Sequence, residues 1–200
     1  MRVFGIDPGS ERTGYGCVDS DGRVHQLVGC GAVHAGAGAT FPDQLSIIYR
    51  ELTVLLKQHR PECVAIENIF YAVNARSALR LGHARGVAML AAIEAGVTVV
   101  EYTPAEIKRA VVGYGRAEKP QVGQMVKVLL GLDAIPKPHD AADALAVAIC
   151  HLHNCGPIHS AKSSMQAGLK TRVYAKADGS NGTTIKRWRD YRPSTRNGPR

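Results

Sequence analysis

Arg2-Val3-Phe4-Gly5-Ile6-Asp7-Pro8-Gly9-Ser10, followed by Gly14-Tyr15-Gly16-Cys17-Val18-Asp19, is the stretch on which the fold turns. Arg2 to Ile6 predicts a short strand, Pro8-Gly9-Ser10 breaks it, and Gly14 to Asp19 predicts a second strand running back. Asp21-Gly22 marks the next turn, and Val24 to Val33 completes an antiparallel start. The first strand therefore ends on a carboxylate, Asp7, immediately before a Pro-Gly turn.

Beyond this opening the pattern changes period. Residues 42–59 place Leu45, Ile48, Leu52, Leu55 and Leu56 on one helical stripe, ending before Arg60-Pro61. Glu62 to Glu67 is a short apolar strand that closes on a second carboxylate. Ser77 to Ala95 predicts a helix and Val97 to Tyr102 a strand. Thr103-Pro104-Ala105-Glu106 is a capping box with proline at the first helical position, so a helix starts there and runs to about Val112. Gly113-Tyr114-Gly115-Arg116 is a loop, Gln121 to Leu130 a helix, and His139 to about His153 a last helix behind the rigid approach Ile135-Pro136-Lys137-Pro138. Three antiparallel strands followed by strands alternating with helices predict an α/β fold: a five-stranded mixed sheet flanked by helices. No internal repeat is present.

Charge divides the chain at residue 155. Residues 156–200 hold ten Lys and Arg against Asp178 and Asp190, whereas residues 1–155 hold fifteen of each sign. The chain accordingly reads as one domain over 1–155 and a basic tail over 156–200. The tail is poor in Leu, Ile and Val and is expected to be largely disordered, its charge suited to phosphate and Tyr174, Trp188 and Tyr191 available to stack; a merely solubilising tail is the alternative. No run approaches the ~18 to 20 apolar residues of a membrane helix, and the N-terminus lacks a signal-peptide core, so a cytoplasmic protein is expected. The five cysteines lack CxxC spacing and read as reduced, buried thiols. His151, His153 and Cys155 alternate on a helix, where ligands at i and i+2 diverge, so they read as a frayed polar end rather than a metal site.

Four carboxylates remain: Asp7 and Glu67 at strand ends, and Asp140 and Asp143 one helical turn apart. If the first and fourth strands are neighbours and the last helix crosses their ends, the four converge. Two such charges about 5 Å apart repel by roughly 3 kcal/mol at an effective dielectric near 20, so the group needs protons or cations. Oxygen-only ligation favours Mg²⁺ or Mn²⁺ over Zn²⁺, and two ions about 4 Å apart suit in-line phosphodiester hydrolysis. Taken singly, Asp7 is also a turn former, Glu67 a partner for an Arg, and Asp140 a helix-dipole residue. Asp143, inside Ala141-Ala142-Asp143-Ala144-Leu145, is harder to explain without a positive partner.

These residues resemble the RuvC family of Holliday junction resolvases, over roughly residues 1–153. The resemblance is carried by Arg2 to Gly9, Ala65-Ile66-Glu67-Asn68-Ile69-Phe70, Asn74-Ala75-Arg76-Ser77-Ala78-Leu79, Gly82-His83-Ala84-Arg85-Gly86, Gly115-Arg116-Ala117-Glu118-Lys119 and Asp140-Ala141-Ala142-Asp143-Ala144-Leu145, in the family's order. It implies an RNase H-like fold and a homodimeric endonuclease that resolves four-way junctions by paired symmetric nicks. It implies two Mg²⁺ ions per subunit on Asp7, Glu67, Asp140 and Asp143, and a partner motor of the RuvA-RuvB type. It places Phe70 at the opened junction centre and Lys108 and Lys119 on phosphates near the cut, with Lys119 assisting catalysis. Tyr71 joins Phe70 as a base contact, with core packing the alternative for both, and Arg76, Arg80 and Arg116 read as further phosphate contacts, with a solvated helix face the equal alternative for Arg76 and Arg80. A face of Ala84, Val87, Ala88 and Ala91 reads either as a dimer interface or as core. Tyr114 stands where the family more often carries a small polar residue. The rival readings are an actin-like ATPase, for which the chain is too short, an RNase H-like nuclease for RNA/DNA hybrids, and a non-catalytic junction binder.

Overall fold

The computed structural model describes residues 1–36, 38–68, 74–155 and 173–174. It contains β1 (Arg2–Asp7), β2 (Arg12–Ser20), β3 (His25–His34), α1 (Phe41–His59), β4 (Cys63–Glu67), α2 (Ala75–Glu94), β5 (Thr98–Tyr102), α3 (Pro104–Val112), α4 (Lys119–Leu129), α5 (His139–Cys155) and β6 (Val173–Tyr174). The sheet order is β3-β2-β1-β4-β5-β6. β1, β2 and β3 are antiparallel neighbours, and β4 and β5 extend the sheet in parallel with β1. The five expected strands are all present. The sixth, β6, adds two residues antiparallel to the free edge of β5 and falls inside the segment expected to be disordered. The rest of 156–200 lies outside the described residues.

Side chains alternate across the sheet, and the alternation sorts the core into two layers. Phe4, Ile6, Val64, Ile66 and Val99 pack with α1 and α2. Val3, Cys63, Ala65, Val100 and Tyr102 pack with α3, α4 and α5. By the same period of two, Asp7 and Glu67 point to the α5 side.

Helix α5 lies directly on the strands. A Cβ on Gly5 would sit 2.0 Å from the Ala144 carbonyl oxygen and 2.8 Å from the Ala148 nitrogen; one on Gly14 would sit 2.0 Å from the Asp140 oxygen; one on Gly16 would sit 2.7 Å from Leu145. Three glycines on two adjacent strands thus form the bed of the helix, and Ala144 and Ala148 face it with almost no side chain. Leu145 and Ile149 are fully buried, each contributing about 2 to 3 kcal/mol through burial.

One local expectation is corrected, and packing bears on two readings left open. The end of α5 is not frayed: His151 is 3% exposed and its Nδ1 lies 2.9 Å from the Tyr102 hydroxyl, while His153 Nδ1 lies 2.9 Å from the Ala110 carbonyl and Nε2 3.1 Å from His25 Nε2. Burial pushes His151 down to about 4, so it is neutral at physiological pH. Ala84, Ala88 and Ala91 are buried against α1, so that small-residue face is core. Finally, Arg80 turns inward: its guanidinium lies 4.8 Å from the centre of the Phe41 ring and donates to Gln44 Oε1 at 3.0 Å. The aromatic face and the buried amide together hold the guanidinium there. All five cysteines are free; Cys17, Cys63 and Cys150 are buried, Cys30 is half-buried and Cys155 is exposed.

Candidate active site

The β1–β2 turn sets Asp7. Thr13, fully buried, donates to the Gly9 carbonyl at 2.8 Å, and a Cβ on Gly9 would sit 2.1 Å from the Arg12 oxygen, so the chain reverses within a few residues. Asp7 is registered opposite Gly14, and Glu67 opposite Tyr102. The β1–β4 ladder runs from Val3 opposite Cys63 to Ile6 opposite Ile66 and stops there. Asp7 and Glu67 are the next residue on each strand, on the same face.

Burial raises the proton affinity of both carboxylates. Asp7 is pushed up to about 9, first by burial, then by the charge of Glu67 and the hydrogen bond to it, with Asp143 adding to the effect and Lys119 opposing it. Glu67 is also raised, chiefly by burial; its bond to Asp7 and the charges of Lys119 and Lys108 offset part of that. Asp7 therefore keeps the proton and Glu67 accepts from it, because both cannot ionise side by side in a half-dry site.

Asp143 reaches this pair from the second turn's edge of α5. Lys119, the first residue of α4, donates from Nζ to Asp143 Oδ2 at 2.9 Å, and this bond holds the Lys119 ammonium above its usual range. The Lys119 side chain is 80% exposed, so its ammonium faces outward over the site. Its position is braced from behind. The Glu118 N–H and the Tyr114 hydroxyl both donate to Gln121 Oε1, at 2.8 and 3.0 Å, so Tyr114 supports the turn that presents Lys119. The capping box at Thr103 starts α3 as the sequence predicts, and α3 delivers Lys108 to the same cleft. That cleft, about 70 Å³, is lined by Glu67, Ile107, Lys108, Lys119, Val122 and Asp143 among others.

Asp140 stands apart from this cluster. Its Oδ2 lies 4.0 Å from Arg12, at an open hollow shared with Lys137 and His139. Among the described residues no three His, Cys, Asp or Glu side chains are gathered tightly enough to hold one ion as they stand; Lys119 holds Asp143 and Arg12 faces Asp140. Arg76 and Arg116 are exposed on the surface. Phe70 and Tyr71 lie outside the described residues. Sequence reading missed Arg12, whose only signal was a lone cation at the start of the second strand, and Asn68, Arg85 and Glu101, treated below.

Neighbouring strand ends carrying carboxylates, with a helix laid across them to add more, define the RNase H-like nuclease arrangement. The family profile described as "Crossover junction endodeoxyribonuclease RuvC" matches residues 3–151. A protein of that description from Koribacter versatilis is 53% identical over 179 residues, covering 88% of this chain and all of the relative. Among solved structures, Thermus thermophilus RuvC aligns with a TM-score of 0.72 at 36% identity over 77% of this chain and 95% of that one. The structure of T. thermophilus RuvC in complex with a Holliday junction substrate aligns at 0.71 and 34% identity, over 77% and 94% of the respective chains. The chain belongs to the RuvC family.

Proposed function

We propose that this chain is a crossover junction endodeoxyribonuclease that cuts four-way DNA junctions by metal-assisted phosphodiester hydrolysis, acting in the cytoplasm as a homodimer in recombination and repair. The observation that carries the reading is the placement of Asp7 and Glu67 at neighbouring strand ends, beside the Asp143–Lys119 ion pair. Such a site accumulates negative charge that protein cations only partly offset.

The donor set fits a hard divalent cation. It consists of carboxylate oxygens without a sulfur or imidazole, and their burial makes ionising them together costly without a counter-charge. Asp7, Glu67, Asp140 and Asp143 would hold Mg²⁺, two ions per subunit, with Mn²⁺ as a substitute. When bound, the ions supply an activated water and stabilise the leaving oxygen. The chain's own groups do the rest. Lys119 and Lys108 flank Glu67 and place positive charge where the scissile phosphate gathers it. Ile107 and Val122 line the inner wall of the cleft and limit water there. Arg76 and Arg116 supply sequence-independent phosphate contacts, Phe70 and Tyr71 meet bases at the junction centre, and the basic tail adds long-range attraction.

The dimer surface in this reading is the outer face of α2. Leu79 is 65% and Leu90 50% exposed there, and they flank a shallow hollow of about 460 Å³ with Gly82, Gly86 and Val87. Glycines four residues apart let a second helix approach closely, and a two-fold dimer matches a two-fold junction. A motor of the RuvA-RuvB type would act on the same DNA.

The test is cleavage in Mg²⁺ of a mobile four-way junction, a linear duplex and an RNA/DNA hybrid, by wild type and Asp7→Asn. Paired symmetric nicks in the junction alone, lost in the variant while binding persists, are expected. Hybrid cleavage would instead make the chain a hybrid-specific nuclease.

A further inference from the structure

Asn68 follows Glu67 and points to the opposite side of the sheet, toward α2. It is 8% exposed and held twice: its backbone N–H donates to the Tyr102 carbonyl at 2.7 Å, and its side-chain Nδ2 donates to Glu101 Oε2 at 3.3 Å. Glu101 on β5 is a carboxylate only 4% exposed, and its other oxygen accepts a charged hydrogen bond from Arg85 Nη2 on α2. Burying that ion pair costs desolvation that an apolar pair of the same volume would avoid, so stability alone is a poor reason for it.

Its place suggests a better one. The ladder joining β1 to β4 ends at Ile6 and Ile66, one residue before the two carboxylates. Asp7 and Glu67 therefore stand just past the last paired residues of their two strands, where like charge on both pushes the strand ends apart. On the β1 side Asp7 is held by its pairing with β2. On the β4 side the restraint is the pairing of Glu67 with Tyr102 and the double hold on Asn68.

We propose that Glu101, braced by Arg85, is a positioning residue for the nuclease site: it grips Asn68 and so fixes the end of β4, holding Glu67 at the distance from Asp7 that a divalent ion requires. This deepens the functional reading above and rests on it. The network touches neither substrate nor the reacting atoms. It acts through Asn68 on the angle at which Glu67 leaves the strand, and it ties that angle to α2.

The experiment compares wild type, Asn68→Ala and Glu101→Gln. Asn68→Ala leaves the buried ion pair intact, so it keeps the question open to refutation should Glu101→Gln fold poorly. Mn²⁺ binding is read by electron paramagnetic resonance without DNA; junction affinity is read in Ca²⁺; single-turnover cleavage is read at saturating junction. Loss of a group supporting a ligand typically lowers metal affinity or activity 10- to 100-fold. Asn68→Ala is expected to weaken Mn²⁺ binding and slow cleavage by about tenfold or more, with junction affinity within about twofold of wild type. Mn²⁺ affinity and cleavage both within twofold of wild type in Asn68→Ala would overturn the proposal, reducing the network to packing. A parallel loss of junction affinity would also overturn it, moving the effect to DNA binding. If wild type binds Mn²⁺ but cuts no junction, the functional reading falls while the Mn²⁺ comparison still decides this inference. A wild type that binds no Mn²⁺ overturns both.

Discussion

Asp7→Asn should stabilise the folded chain in a chelator while abolishing cleavage, and the gain should grow with pH. An ordinary Asp titrates near 3.8, whereas Asp7 in the fold is raised to about 9. A carboxyl whose folded value lies above its unfolded value contributes stability that is full below about pH 4 and is lost as pH rises toward 9. Over that window the folded chain carries roughly one proton more than the unfolded chain, which costs about 1.4 kcal/mol per pH unit. Between pH 6 and pH 8 wild type should lose about 3 kcal/mol at this site, equivalent to roughly 6 to 12 °C in Tm for a chain of this size. Asparagine has the shape of the protonated acid and donates to Glu67 in its place, without the proton. Urea unfolding of both proteins in EDTA at pH 5, 6, 7 and 8 reads the difference directly, and shared contributions such as that of His151 cancel in the subtraction. A stability difference that stays flat within about 0.5 kcal/mol would mean that Asp7 is ionised in the fold at neutral pH, and the shared proton would be wrong.

Gly5→Ala should cost more than about 3 kcal/mol, since the new methyl falls 2.0 Å from a helix backbone oxygen and cannot be accommodated by a rotamer change; differential scanning calorimetry measures it, and a Tm within about 2 °C of wild type would contradict the seating of α5. His151→Gln should flatten the acid limb of the stability curve: the folded value lies near 4 against an ordinary 6.5, so stability is full above about 6.5 and is lost as pH falls toward 4. Urea melts from pH 4 to 7 check this, and an unchanged acid limb would mean the imidazole is not buried neutral. Leu90→Asp should convert a dimer to a monomer in sedimentation velocity; a dimer that persists would move the interface away from α2.

Much of the fold was legible because it is written locally. The Pro8-Gly9 break, the Thr103 capping box and the stripe of Ile48, Leu52 and Leu56 each act within a few residues, and each element formed where its signal stood. Asp7 and Glu67 were legible for the same reason, as carboxylates that close short apolar strands. What escaped depends on residues brought together from afar. Gly14 and Gly16 look like weak strand formers until α5 lies over them. Arg80 has the spacing of a surface cation, and only the position of Phe41 on α1 turns it inward. Ala84, Ala88 and Ala91 suit a helix crossing of either kind, and sequence spacing alone does not say which helix they meet. Asn68 and Glu101 are ordinary polar residues until the register of β4 on β5 places them side by side.

The bed of α5 has a consequence for tolerance. Most helices rest on a cushion of side chains that can repack to absorb a small error in placement. Here the helix backbone bears on Gly5 and Gly14, and the Leu145 side chain bears on Gly16, three supports that are not in line, and such a mount leaves no freedom to rock. Sliding along the axis by even one residue, about 1.5 Å, would bring a bulkier side chain onto a support meant for alanine. The separation between the carboxylates of α5 and those of the strands is thus gauged at Gly5 and Gly14 by main chain against main chain, which makes it unforgiving of any change at those positions.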